Sequence, residues 1–195
     1  MLRGERVVLR PVEREDWARL RDEVETIEIQ ALANDRPALP MSMLDFEERE
    51  ERAAEERGED SAWFVVEVDG DPIGLGGLHE IDYFQQRCEL GIRLGREHWG
   101  RGLGQDAVSV LVDYAFRHLA LRKVSLEVLA DDPRAVGAYR KAGFIEEGRL
   151  RQHAWYQGHW HDQLVMSILR DEWISRSQDP DDQLGFRDST SQPPG

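Results

Sequence analysis

Three glycines at alternate positions, Gly100, Gly102 and Gly104, mark the stretch of this chain best suited to chemistry. A turn without side chains lets backbone N–H groups approach whatever lies above it. A helix that follows such a turn adds the free N–H groups of its first turn and the positive end of its dipole. Together these groups bind anions, above all phosphate or pyrophosphate. From the glycines alone, a second interpretation stays open, in which they only relieve steric strain in a tight turn.

A strand and a helix must hold this turn from either side. Before it, Leu90, Ile92 and Leu94 alternate with polar residues or glycine, which predicts a strand over 85–94. After it, apolar residues at helical spacing predict a helix that ends near His118. The stretch therefore predicts a strand, a glycine-rich turn and a helix in direct succession.

The remaining segments predict one α/β domain. Alternating apolar patterns and turn signals predict strands over 6–10, 61–68, 72–81, 122–129, 144–151 and 161–169, and helices over 13–24, 45–57 and 131–143. Residues 27–40 carry two prolines and no clear period, so we expect a loop or a broken helix there. The order favours a single mixed, mostly antiparallel sheet flanked by helices, with residues 1–174 as the domain and 175–195 as a polar, flexible tail.

Composition narrows the class of protein. The formal net charge of −14 argues against a nucleic-acid-binding protein and is compatible with a cationic substrate. One cysteine, Cys88, permits neither an internal disulfide nor a cysteine metal cluster. The first residues lack the apolar core of a signal peptide, and no apolar run is long enough for a membrane span. We therefore expect a cytoplasmic protein without membrane partners.

Several motifs in the right order resemble one enzyme family. The segment from Trp99 to Ala107 resembles the acetyl-CoA pyrophosphate loop of the GCN5-related N-acetyltransferases (GNAT), and that from Ala138 to Phe144 resembles the family's second signature. Three further segments are similar to the ribosomal-protein alanine acetyltransferase subgroup: 2–11, 158–162 and 169–173. The resemblance covers residues 2–173 and implies the GNAT-type acyl-CoA N-acyltransferase fold.

The resemblance implies transfer of an acetyl group directly from acetyl-CoA, the co-substrate, to a primary amine. The acceptor stays open between a protein N-terminus, a polyamine and a small amine such as an antibiotic. No metal is expected, and the subgroup implies a homodimer. A catalytically silent acyl-CoA sensor or interaction module on the same fold is the alternative function.

Site residues follow from the resemblance, position by position. The strand before the loop would splay from its neighbour and offer backbone N–H groups at Ile92, Arg93 and Leu94 to the acyl end. Tyr139 stands where the family's tyrosine faces the cofactor sulfur, as the acid for the departing thiolate. Asp132 replaces an asparagine that commonly contacts the cofactor, so its own contact is in question. The pyrophosphate loop would bind through Trp99, Gly100, Arg101, Gly102, Leu103, Gly104 and Gln105.

The attacking amine must lose a proton, because an alkylammonium has a pKa of about 10. Glu89 is the candidate base, since it lies on the strand that leads into the cleft; a water relay, Glu127 and His79 are the alternatives. Cys88 points to the opposite face from Glu89, which favours a structural thiol over an acyl-cysteine intermediate. A metal site formed by His153, His159 and His161 is the less favoured interpretation of the closing strand pair.

Overall fold

The computed structural model describes residues 1–33, 38–56 and 58–177. Within these ranges there are eight strands: β1 (Leu2–Arg3), β2 (Val8–Arg10), β3 (Ala62–Val68), β4 (Asp71–Asp82), β5 (Arg87–Leu94), β6 (Lys123–Leu129), β7 (Ile145–Tyr156) and β8 (His159–Leu169). The helices are α1 (Trp17–Val24), α2 (Ile27–Ala33), α3 (Met43–Glu56), α4 (Leu103–Arg117), α5 (Pro133–Ala142) and α6 (Arg170–Ser177). Short 3-10 turns precede α1 and follow β5, at Arg14–Asp16 and Arg96–His98.

All eight strands form one sheet in the order β1-β2-β3-β4-β5-β6-β8-β7. Among these strands, β5 and β6 are the parallel pair, and the other neighbours run antiparallel. The parallel pair is separated in sequence by α4, as a crossover connection requires. The predicted fold class, a mixed and mostly antiparallel sheet flanked by helices, is confirmed.

The sheet carries a different apolar core on each face. The first core packs α4 and α5 on one face, with Leu111, Phe116 and Val136 against strand residues that include Cys88, Leu90 and Leu94. The second core packs α1, α2 and α3 on the other face and comprises Leu20, Val24, Ile29, Phe46, Val65 and Leu75. Since side chains alternate along a strand, Glu89, Gly91 and Arg93 of β5 face the side of the second core.

Two segments sharpen the expectations. The segment 27–40, expected as a loop or a broken helix, begins with α2 over Ile27–Ala33. The buried Gln30 holds this helix, because its amide donates to the carbonyls of Glu25 (2.7 Å) and Leu39 (3.0 Å) and accepts from the Leu39 N–H. Residues 34–37 lie outside the described residues. The last helix continues to Ser177, past the expected start of the tail at residue 175, and residues 178–195 lie outside the described residues.

Candidate active site

A gap in the sheet forms the centre of the candidate site. Strands β5 and β6 pair only over Arg87–Glu89 and Lys123–Ser125, although β4 follows β5 to Leu94 and β8 follows β6 to Leu129. Strands β5 and β6 therefore stay paired with β4 and β8, respectively, while they diverge from each other. A cavity of about 870 Å³ opens at this divergence.

Backbone groups of β5 face into the gap at alternate residues. The Gly95 N–H donates to the Ile73 carbonyl of β4 (2.9 Å), which fixes the phase of the strand. By alternation the N–H and carbonyl of Arg93 also face β4, whereas those of Ile92 and Leu94 face the gap. The indole N–H of Trp99 donates to the Leu94 carbonyl (2.9 Å) and closes this end of the opening. Ile92 therefore has its N–H directed into the cavity.

The glycine-rich turn forms the next part of the cavity wall. Gly100 and Gly102 have φ values of +70° and +80°, a region that residues with a Cβ rarely adopt, and Gly102 is the N-cap of α4. The free N–H groups of the first turn of α4 begin here, beside Gly104 and Gln105, which also line the cavity. The turn and helix thus present the donor geometry of a phosphate site.

The segment between β1 and β2 contacts this turn and the helix that follows it. The Arg6 guanidinium donates to the Arg101 carbonyl (2.6 Å), while the Arg101 side chain is exposed. The Asp106 carboxylate accepts the backbone N–H groups of three consecutive residues in the chain segment before β2, at 3.1, 2.7 and 3.0 Å: Glu5, Arg6 and Val7. Leu103 is buried in the first core. Arg101 and Leu103 can therefore meet an anion through their backbone N–H groups.

The start of α5 faces the glycine-rich turn. Asp132 caps this helix: one carboxylate oxygen accepts the Ala135 N–H (3.0 Å) and the other accepts from Arg134 (2.9 Å). The Arg134 guanidinium lies 4.0 Å from the ring centroid of Trp99, and both residues line the cavity. Arg134 adds a cation that the sequence analysis missed, because its contact with Trp99 joins two distant segments. One carboxylate oxygen of Asp132 therefore caps α5, and the other pairs with Arg134.

Tyr139 enters the cavity from the last half of α5. Its ring packs edge-on against Phe144 with centroids 5.9 Å apart, and α5 ends three residues later at Ala142, with Gly143 as its C-cap. Burial raises the pKa of Tyr139 to about 12, so the hydroxyl is protonated at neutral pH. Tyr139 can therefore serve as a proton donor inside the cavity.

Glu89 lines the same cavity from the other face of the sheet. Burial raises the pKa of its carboxyl, and the neighbouring negative charges of Glu80 and Glu127 raise it further. His79, its partner in the β4–β5 register, stacks against Trp63 with ring centroids 5.8 Å apart. A carboxyl with a raised pKa is a stronger base than an exposed glutamate, which suits proton removal from an ammonium group.

A buried charge cluster lies on the same face of the sheet as Glu89, at the other end of β5. The Glu25 side chain is 1% exposed and meets the guanidinium groups of Arg49 (3.0 Å) and Arg93 (3.5 Å). Arg93 also lines the cavity, so helix α3, the end of α1 and strand β5 are joined at the cavity wall. Arg93 contributes a side chain to this face, whereas its backbone is directed toward β4.

The alternative nucleophile and metal sites have other roles in the structure. Cys88 is buried, and burial raises the pKa of its thiol to about 12, which disfavours the reactive thiolate. His161 is held by the Asp131 carboxylate (2.6 Å) and the Tyr156 carbonyl (3.0 Å), while His153 lines the catalytic cavity.

Within the described ranges, one group has the proximity of metal ligands: Glu23, Glu97 and His98. The Arg19 guanidinium pairs with both of these carboxylates, Glu23 at 2.7 Å and Glu97 at 3.4 Å. The group is therefore an ion-pair network around a cation that the chain itself supplies.

The sheet that opens beside a glycine-rich helix start defines the class of acyl-CoA N-acyltransferases. Residues 6–145 match the acetyltransferase (GNAT) domain family, which covers most of the chain. The chain belongs to this family and is an acetyl-CoA-dependent N-acetyltransferase. The resemblance stated from the sequence is thereby confirmed at the level of the family, and acetyl-CoA as co-substrate with it.

Curated relatives with similar sequences include polyamine enzymes. The chain is 36% identical over 116 residues to spermidine N(1)-acetyltransferase of Vibrio cholerae, which spans 59% of this chain and 67% of that one. It is 34% identical over 117 residues to the Escherichia coli K12 enzyme of the same name, spanning 60% and 63%. A putative ribosomal N-acetyltransferase of Bacillus subtilis is 30% identical over 105 residues, spanning 54% and 57%. The matched segment spans about two thirds or less of each relative.

Solved structures extend the likeness over more of the chain. The crystal structure of Vibrio cholerae spermidine N-acetyltransferase in complex with CoA and spermine has a TM-score of 0.78 and 29% identity, and the match covers 88% of this chain and 99% of that one. A dodecameric structure of spermidine N-acetyltransferase from Vibrio cholerae has a TM-score of 0.72 and 30% identity, with 90% and 100% covered. None of the helices in the described part of the chain combines the length and hydropathy of a membrane span.

Proposed function

We propose that this chain transfers the acetyl group of acetyl-CoA to a primary amine of a polyamine. The observation that carries the proposal is the charge on the acceptor side of the gap, where Glu80, Glu89 and Glu127 line the cavity. Three carboxylates beside the acyl position attract a substrate with several ammonium groups. Relatives that acetylate spermidine support the same class of acceptor.

The cofactor is held mainly by backbone groups in this proposal. The N–H groups from Gly100 to Gln105 and the dipole of α4 bind the pyrophosphate, and Arg134 on the facing helix adds a positive charge. The positive φ values of Gly100 and Gly102 support this role, because residues with a Cβ rarely adopt the backbone conformation of this turn. Trp99 contacts Arg134 and so connects the turn to α5. Asp132 contributes by capping α5 and orienting Arg134.

Three residues of the chain then assist acetyl transfer. The Ile92 N–H polarises the thioester carbonyl, an interaction worth about 3 kcal/mol of barrier for a well-placed donor. Glu89 accepts the proton that the ammonium group must lose before attack. The amine nitrogen forms a bond to the carbonyl carbon as the carbon–sulfur bond breaks. Tyr139 donates its proton to the departing sulfur, and the second proton that the nitrogen loses on forming the amide returns to Tyr139 through solvent.

A thiol-release assay with acetyl-CoA tests the proposal. The panel contains spermidine, spermine, n-butylamine, an aminoglycoside and a peptide with N-terminal alanine. We expect kcat/KM for spermidine to exceed that of the peptide and the aminoglycoside at least tenfold. A preference for the peptide would overturn the polyamine assignment. No release with any amine, together with a rise in Tm on adding acetyl-CoA, would favour the silent acyl-CoA sensor instead.

Three narrower statements belong to the same proposal. By sequence resemblance, we place the chain with the ribosomal-protein alanine acetyltransferase subgroup, in the cytoplasm, as a homodimer. The relative among putative ribosomal acetyltransferases supports the first. The exposed pair Trp155 and Trp160, with ring centroids 5.2 Å apart on the outer hairpin β7–β8, offers a surface for a second copy. Light scattering on the purified chain tests the dimer.

A further inference from the structure

The acceptor cavity continues past Glu89 into a second one. This second cavity has a volume of about 540 Å³ and lies at the start of β5 and the end of β4. It shares Glu80 and Glu89 with the catalytic cavity. A long substrate with its reacting nitrogen at Glu89 can therefore extend into the second cavity without leaving the surface of the protein.

Acidic side chains dominate the wall of the second cavity. Beside the two shared glutamates it is lined by Asp60 and Asp82, and among the described lining residues the one cation is Arg87. Asp82 uses one carboxylate oxygen to accept the N–H groups of two turn residues, Phe84 (3.0 Å) and Gln85 (2.8 Å).

The side chains of Asp60 and Glu80 are less constrained than that of Asp82. Both side chains are exposed, and within the described ranges neither has an ion-pair partner. The turn that carries Asp60 is fixed to β4, because the Asp60 carbonyl accepts the Ile81 N–H (2.9 Å). The two carboxylates are therefore available to a cationic ligand.

The spacing along the strands suits a linear polyamine. Glu89 lies opposite His79, and two residues earlier on β5 Arg87 lies opposite Asp82. Two residues of a strand span about 7 Å. This is comparable with the separation of neighbouring nitrogens that are joined by three or four methylene groups.

We propose that the second cavity binds the distal ammonium group of a linear polyamine while the reacting nitrogen lies at Glu89. Asp60 and Glu80 supply the attraction. Arg87 opposes it, because its guanidinium carries the same charge as the ligand. This inference rests on the proposed function and assigns the residues that select polyamines over monoamines.

Substitutions of opposite sign test the assignment. The measured quantity is the ratio of kcat/KM for spermidine to that for n-butylamine, because effects on the reacting nitrogen cancel in it. We expect Asp60→Asn to lower the ratio about fivefold, the size of a solvent-screened ion pair. We expect Arg87→Gln to raise the ratio and added salt to lower it. Asp71→Asn, a change of the exposed carboxylate at the first residue of β4, is the matched control and should leave the ratio unchanged.

The results separate this inference from the function on which it rests. If the native chain acetylates neither spermidine nor spermine, the proposed function fails. If it acetylates them and Asp60→Asn and Arg87→Gln both leave the ratio within twofold of the native value, the distal site fails and the function stands. A lowered ratio in Arg87→Gln would also overturn the site, because removal of a like charge must favour the cation. Circular dichroism spectra confirm that each variant is folded.

Discussion

The two faces of the sheet gap recognise their ligands by different means. On the face of α4 and α5, the Gly100–Gln105 turn and the start of α4 present backbone N–H groups, and short local motifs fix their geometry. On the face of α1 to α3, the cavity wall consists of side chains such as Glu80, Glu89 and Arg93, brought together from separate strands. Backbone recognition tolerates few substitutions at the glycines, whereas side-chain recognition can change one residue at a time.

The largest expected effect is a loss of stability when the buried charge cluster on the acceptor face is disrupted. Glu25→Ala leaves Arg93 without its buried counter-charge and Arg49 with Glu50 alone (2.8 Å), and we expect a loss of about 3–5 kcal/mol in the free energy of unfolding. The control is Glu51→Ala. Glu51 lies on the same helix as Arg49 and forms an exposed ion pair with Arg14, so its loss should lower the free energy of unfolding by less than about 1 kcal/mol. Urea denaturation measures both. Equal losses would show that the acceptor face does not depend on its buried charges.

The second effect concerns catalysis on the cofactor face. Tyr139→Phe removes the proton donor and keeps the ring against Phe144, so we expect kcat to fall roughly 100-fold, as for loss of a general acid. The control is Tyr114→Phe, a change on α4 where the ring packs against Phe64 in the first core. Steady-state kinetics give kcat, and a shift in Tm with acetyl-CoA reports binding. An unchanged kcat in Tyr139→Phe would remove the acid role.

A third effect tests whether the backbone holds the cofactor. Gly102→Val forces a branched side chain into a φ of +80°, with its Cβ 3.3 Å from the Arg6 guanidinium that braces the loop. We expect the KM for acetyl-CoA to rise about tenfold, since a left-handed residue with a Cβ costs about 1–2 kcal/mol. The KM for spermidine should change much less. Gly148→Ala, at an unstrained and open position, is the control. A rise confined to the KM for spermidine would reverse the assignment of the faces.

The smallest effect tests the base through pH. The pKa of Glu89 is raised, so its carboxylate forms, and the rate rises, at a higher pH than for an ordinary glutamate. Glu127→Gln removes one of the charges that raise this pKa and should move the acid limb of the kcat/KM profile to lower pH. Glu89→Gln should abolish that limb, and Asp71→Asn should leave it in place. An acid limb that persists in Glu89→Gln would assign the base to another group or to water.

The sequence predicted the cofactor face better than the acceptor face, for a physical reason. Apolar alternation on β5 and helical spacing after Gly104 are local patterns, so the strand, turn and helix were predicted together. Arg134 was missed, because its position over Trp99 depends on how α5 packs against the turn. Helix α2 was expected as a loop or broken helix, since the contacts of Gln30 with Glu25 and Leu39 are not visible as a periodicity.

The acceptor face depends on strand register, which a single sequence does not reveal. Glu89 could be placed on this face by alternation, but its neighbours Glu80 and Glu127 come from other strands. The bulge between His79 and Asp82 in the β4–β5 register also shifts which side chains meet the second cavity. The sequence therefore predicted acetyl transfer but left the class of amine acceptor open.

A crystal structure with a covalent CoA–spermidine bisubstrate analogue tests the account most directly. We predict the pyrophosphate on the N–H groups of Gly100 to Gln105, the acetyl carbonyl within hydrogen-bond distance of the Ile92 N–H, and the polyamine passing Glu89 toward Asp60. A pyrophosphate bound elsewhere, or a polyamine that runs between α2 and α3 instead, would contradict the division of labour between the two faces.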